Sequence, residues 1–135
     1  MREFLQETTE TLRKCGVSIV YLFGSQVEGN QTEKSDIDLG VVFYKEKSQK
    51  EIIELHPELY SCFVTEFSAT FEKEVDIVYL QNCSVSFQYY VIRNNHVFYE
   101  TSPFFRVNYE EHILKEYLDF KPIAEIFSKA LLERI

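Results

Sequence analysis

Three aspartates and a Gly-Ser pair carry the chemistry available to this sequence. Gly24-Ser25 closes the apolar run Ser18–Phe23, ten residues follow, and Asp36-Ile37-Asp38 opens the next strand-like segment, Asp36–Tyr44. A third acid, Asp76, stands in the alternating stretch Val75-Asp76-Ile77-Val78-Tyr79-Leu80. Side chains alternate along a strand, so Asp36 and Asp38 share one face while Ile37, Leu39, Val41 and Phe43 share the other. The apolar face fixes the register and forces the two carboxylates together. Like charges at that spacing raise each other's pKa unless a cation offsets them. Hard divalent cations with oxygen ligands suit the site, Mg2+ above all.

If the strand of Asp76 neighbours that of Asp36 and Asp38, three carboxylates meet. Three carboxylates can hold two metal ions, which bind a nucleoside triphosphate and stabilise both the attacking and the leaving oxygen of an in-line displacement. The Gly24-Ser25 turn supplies the other half. Glycine lets the chain approach a ligand closely, and backbone N–H groups with the Ser25 hydroxyl can donate to phosphate oxygens. Phosphoryl-group chemistry needs mainly such positioning and charge neutralisation. Gly-Ser alone marks ordinary turns, and acids at strand ends are usually just solvated. The combination and its spacing point to nucleotidyl transfer.

Stepping out to the whole chain, 135 residues with 45% apolar and 16% aromatic content suffice for one domain with a real core, spanning residues 1–135. No apolar run approaches the length of a membrane span, and no basic-then-apolar leader opens the sequence. The expectation is a cytoplasmic protein. A formal charge of −8 argues against a general nucleic-acid surface, which would cluster Lys and Arg. Cys15, Cys62 and Cys83 are odd in number and far apart, which reads as reduced, mostly buried thiols. His56, His96 and His112 are scattered, without the spacing of a zinc site.

The elements that must position the acids are legible from periodicity. Residues from about Phe4 to Lys14 read as a helix with Gly16 as its stop. Ser18–Phe23 and Asp36–Tyr44 read as strands, antiparallel neighbours or flanks of a long loop. Ser48-Gln49-Lys50-Glu51 fits a capping box, and Pro57 is expected to interrupt that helix and open a second one. Leu59, Phe63, Phe67 and Phe71 form a core-facing stripe. Val75–Leu80 is a third strand, Asn82 or Ser84 caps a helix through Ile92, and His96–Tyr99 is a short edge strand. Ser102-Pro103 starts one or two further helices, with Pro122 the natural point for a break. The order predicts an α/β (α+β) domain, a small mixed sheet flanked by helices.

Gly24-Ser25, the ten-residue gap and Ser35-Asp36-Ile37-Asp38-Leu39 resemble the signature of the DNA polymerase β-like nucleotidyltransferase superfamily. The short length and the tail, Arg106-Val107-Asn108-Tyr109-Glu110 followed by Leu114-Lys115-Glu116-Tyr117-Leu118-Asp119, resemble its minimal branch, the MNT-domain proteins. The resemblance implies a nucleotidyltransferase fold, MgATP as donor and AMP as the transferred group. It also implies an antitoxin that adds AMP to a tyrosine of a cognate HEPN-domain RNase toxin and so silences it. Carried over, Gly24 and Ser25 hold the triphosphate, Asp36, Asp38 and Asp76 hold Mg2+, and one of these acids helps to deprotonate the tyrosine.

One departure stands out. Many relatives carry Arg three residues after the Ser, where this chain has Glu28. A carboxylate there cannot pair with phosphate, and Lys34 is one cation that can compensate. Two other readings remain at this point. A catalytically weak module that neutralises its toxin by contact fits the same residues, with Ile113, Leu114, Tyr117, Leu118 and Phe120 as a partner surface or, more simply, as core. A transferase for small molecules shares the motif but usually needs a further substrate domain.

Overall fold

The computed structural model describes residues 5–24, 36–71 and 74–133. The chain runs α1 (Gln6–Lys14), β1 (Val17–Phe23), β2 (Ile37–Phe43), α2 (Gln49–Phe71), β3 (Val75–Tyr79), a 3-10 turn (Leu80–Asn82), α3 (Val85–Arg93), β4 (Asn95–Glu100) and α4 (Pro103–Glu133). The strands form one sheet in the order β3-β2-β1-β4. β1 pairs antiparallel with both β2 and β4, whereas β2 and β3 are parallel, so the sheet is mixed. The α/β expectation holds, and the first two strands are antiparallel neighbours.

Local chemistry sets most boundaries. Gly16, at φ +79°, ends α1 with its N–H on the Arg13 carbonyl, a left-handed stop that suits glycine. Ser48 and Glu51 form the expected reciprocal box: the Ser48 N–H donates to the Glu51 carboxylate, and the Glu51 N–H to the Ser48 hydroxyl. Ser84 caps α3 through the Phe87 N–H, and Ser102 opens α4 through the Phe105 N–H.

Pro57 does not divide α2, which continues from Gln49 to Phe71. Pro57 and Ile53, whose carbonyl loses its partner, both lie on the exposed side, where water can serve that carbonyl. A break would pull Ile52 or the Leu59-Phe63-Phe67 row off the core, and all four are buried. Pro122 likewise sits inside the single helix α4.

The two faces of the sheet are covered separately. Val17, Val20, Leu39, Val41 and Phe43 pack against α1 and α2 through Leu12, Leu59, Phe63 and Phe67. Ile19, Tyr21, Phe23 and Val42 pack on the other face with Leu80, Val91, Phe87 and Tyr109. A Cβ on Gly40 would stand 3.0 Å from Leu80 Cδ1, so this glycine lets the turn after β3 close over the sheet. The tail motif holds α4 in place: Tyr21 Oη donates to Glu110 at 2.8 Å, Arg106 pairs with both Glu100 and Glu110, and Tyr109 Oη donates to Gln88 at 2.7 Å.

Candidate active site

The acids converge because two parallel strands, β2 and β3, bring them to one end of the sheet. Asp38 follows Ile37 in β2, and Ile37 turns into the α2 face as the alternation requires. The parallel register then sets Asp38 directly opposite Asp76. The Ile37 N–H donates to the Glu74 carbonyl at 2.8 Å, which fixes this register at the site end. On its other side Asp38 pairs with Phe23, the last residue of β1. Asp38 is half-buried, whereas Asp36 and Asp76 are exposed. Beyond Phe23 the row reaches Asn95 at the start of β4. Asn95 has no signature in the sequence, because its place depends on which strand fills the sheet edge.

Gly24 is held at φ +80°. A Cβ there would press into the Asp38 carboxylate, with its Cγ only 3.3 Å away. The glycine is thus needed twice, for its backbone conformation and for the room it leaves the acid. Ser25, Glu28 and Lys34 lie outside the described residues.

The electrostatics follow from this crowding. Asp38 titrates above its ordinary range, first because burial penalises its charge, then because Asp76 and Asp36 repel it. This is the mutual repulsion that the spacing of the acids predicts. Among the described residues no three His, Cys, Asp or Glu side chains form a ready-made metal cage. Mg2+ rarely needs one, since it is usually held by one or two carboxylates together with substrate phosphates and water. Paired, repelling oxygen donors at one end of the sheet fit that mode. The donor set is hard oxygen with no thiolate or imidazole, which again suits Mg2+ rather than zinc.

A family model for polymerase beta nucleotidyltransferases matches residues 6–104 of this chain. The chain belongs to this nucleotidyltransferase family. Solved structures with the same fold include one described as a toxin-antitoxin with AMP-PNP, at 20% identity and a TM-score of 0.67 over 95% of this chain and 99% of that one. Another is a tri-AMPylated Shewanella oneidensis HEPN toxin in complex with MNT antitoxin, at 16% identity and a TM-score of 0.63 over 93% of each chain. A third, the toxin-antitoxin MntA-HepT, has 18% identity and a TM-score of 0.54 over 95% and 92%. No curated protein matches significantly.

The other singled-out groups have contacts of their own. His56 Nδ1 bonds the Tyr79 hydroxyl at 2.8 Å on the α2 side. His112 meets Glu116 at 2.9 Å on α4, and His96 rests edge-on against Phe98. All three cysteines are free thiols whose pKa burial pushes up.

Proposed function

We propose that this nucleotidyltransferase is an antitoxin that transfers AMP from MgATP to a tyrosine of a cognate HEPN-domain toxin. The observation that carries the reading is the row Phe23–Asp38–Asp76 with Gly24 folded against the Asp38 carboxylate. It sets a positive-φ glycine turn, fit for phosphates, beside paired carboxylates fit for hard cations. The solved toxin-antitoxin structures that share the fold favour a protein partner, and the AMP-PNP and AMP groups in them favour an adenine nucleotide.

In this reading the backbone at Gly24 and the Ser25 hydroxyl orient the triphosphate. Asp36, Asp38 and Asp76 hold Mg2+. The bound ions would neutralise phosphate charge and favour the phenolate form of the attacking tyrosine. The tyrosine oxygen attacks the α-phosphorus while the bond to the bridging β-phosphate oxygen breaks. Pyrophosphate leaves, and the hydroxyl proton passes to one of the three carboxylates. No helix among the described residues is long and apolar enough to cross a membrane.

The absence of a ready-made three-acid cage among the described residues favours one alternative, a module that neutralises its toxin by contact with little catalysis. Intact-mass spectrometry of the cognate toxin after incubation with this protein and MgATP separates the two. The transfer reading predicts a gain of one or more AMP units, lost in the D36N/D38N double variant. A stable complex with no mass gain from the wild type would establish the binding module instead.

A further inference from the structure

β3 is an edge strand: in the order β3-β2-β1-β4 it has a strand on one side only. Backbone polar groups alternate sides along a strand. The Ile37 N–H bonds the Glu74 carbonyl, so in this parallel pair Glu74, Asp76 and Val78 turn theirs toward β2. Val75, Ile77 and Tyr79 turn theirs outward. Among the described residues no hydrogen bond takes up the outward N–H and C=O groups of Val75 and Ile77. Such a row of unpaired groups is a template for a further strand.

The same edge borders an apolar groove. About 500 Å3 in volume, it runs between β3 and the first half of α2, with Ile52, Ile53, His56, Ile77 and Tyr79 in its wall. Ile53 is 67% exposed there. Ile77 and Tyr79 face α2, whereas Asp76, between Val75 and Ile77, stands on the opposite face of the sheet. A segment added along β3 would follow the same alternation. Its residue beside Asp76 stands on the aspartate face, and its residues beside Ile77 and Tyr79 turn to the groove.

In-line transfer needs the attacking oxygen opposite the leaving pyrophosphate. The row runs Phe23, Asp38, Asp76, and Gly24 follows Phe23. A triphosphate at Gly24 is therefore on the β1 side of the acids, which leaves the β3 side for the acceptor. The other edge strand, β4, pairs with β1 and lies on the triphosphate side. We propose that the target tyrosine lies in an extended segment of the protein partner, which adds to the outer edge of β3 as a further strand. The tyrosine takes the place beside Asp76, and apolar side chains one and three residues away enter the groove. Main-chain pairing supplies affinity, and the groove supplies specificity. The inference rests on the transfer reading above and adds how its substrate is held.

Amide hydrogen exchange, followed by NMR on this protein alone and with the cognate toxin, Mg2+ and α,β-methylene ATP, tests it. That analogue cannot give up AMP, so the complex is held before transfer. The Val75 and Ile77 N–H groups should exchange about tenfold or more slowly in the complex, while those of Asp76 and Val78, already turned to β2, change little. I53E, at an exposed position of the groove wall, should lower kcat/KM for AMP transfer to the toxin about tenfold or more and leave affinity for the analogue within about twofold. Circular dichroism checks that the variant is folded. A complex in which Ile77 stays unprotected, or an I53E that transfers like the wild type, overturns the docking and leaves the transfer reading intact. Protection of the same amides in the free protein at high concentration assigns the edge to a second copy of the chain and overturns it too. If the wild type adds no AMP to the toxin, the transfer reading falls and this inference with it.

Discussion

Gly24 and Asp38 are coupled tightly enough that each predicts the fate of the other. Replacing Gly24 by Ala places a side chain at φ +80° and drives its Cβ into the Asp38 carboxylate. The conformational cost alone is about 1–2 kcal/mol, and under the proposed transfer a displacement of Asp38 by about 1 Å costs about a hundredfold in rate. G24A should therefore lower the melting temperature by several degrees and reduce AMP transfer at least a hundredfold, measured by thermal denaturation and by toxin mass. Asp38 yields a prediction with a definite sign. Its folded-state pKa lies above the ordinary value of 3.8, so the folded state holds this proton more tightly than the unfolded one. That contribution to stability is complete below the unfolded value and is lost as pH rises through the folded value. In buffer with chelator, D38N should gain melting temperature on the wild type as pH climbs from below 3.8, then level off. The same variant should transfer no AMP. A stability difference that shrinks with rising pH would contradict the crowding of the three acids.

At the scale of elements, the sequence was most legible where the signal is local. The capping box at Ser48, the glycine stop at Gly16 and the alternation around Asp38 and Asp76 all fold as their chemistry dictates. Pro57 was misleading for a physical reason. Proline's penalty is local, but whether a helix breaks depends on what the residues on either side bury. Around Pro57 both sides belong to one buried row, so α2 tolerates a missing hydrogen bond on its wet side. Pro57→Ala should restore that bond and stabilise the protein by up to about 3 kcal/mol. Phe63→Ala, inside the row, should cost about 3–5 kcal/mol. Chemical denaturation of the two variants measures both effects. If P57A were neutral or destabilising, the ring would be filling a shape that the helix needs.

At the scale of the molecule, the motif told which residues meet but not which neighbours frame them. That β2 and β3 lie side by side was a condition in the sequence argument, and it is met in the structure. The place of Asn95 in the row of Asp38 and Asp76 could not be read, because it depends on β4 joining β1 rather than β3. The tail was legible only in part. Ile113 enters the core, but Leu118, Phe120, Ile126 and Leu132 remain half or more exposed along α4. Leu118 and Ile126 contribute little to the fold of this chain alone, so changing both to Gln, a good helix former, should move its stability by less than about 1 kcal/mol. Under the antitoxin reading these side chains are available to a protein partner, and burying apolar groups of this size contributes about 1.5–3 kcal/mol each. The L118Q/I126Q variant should then bind the cognate toxin at least tenfold more weakly by calorimetry, while AMP-PNP affinity is unchanged. Equal toxin affinity would place the partner surface elsewhere on the chain.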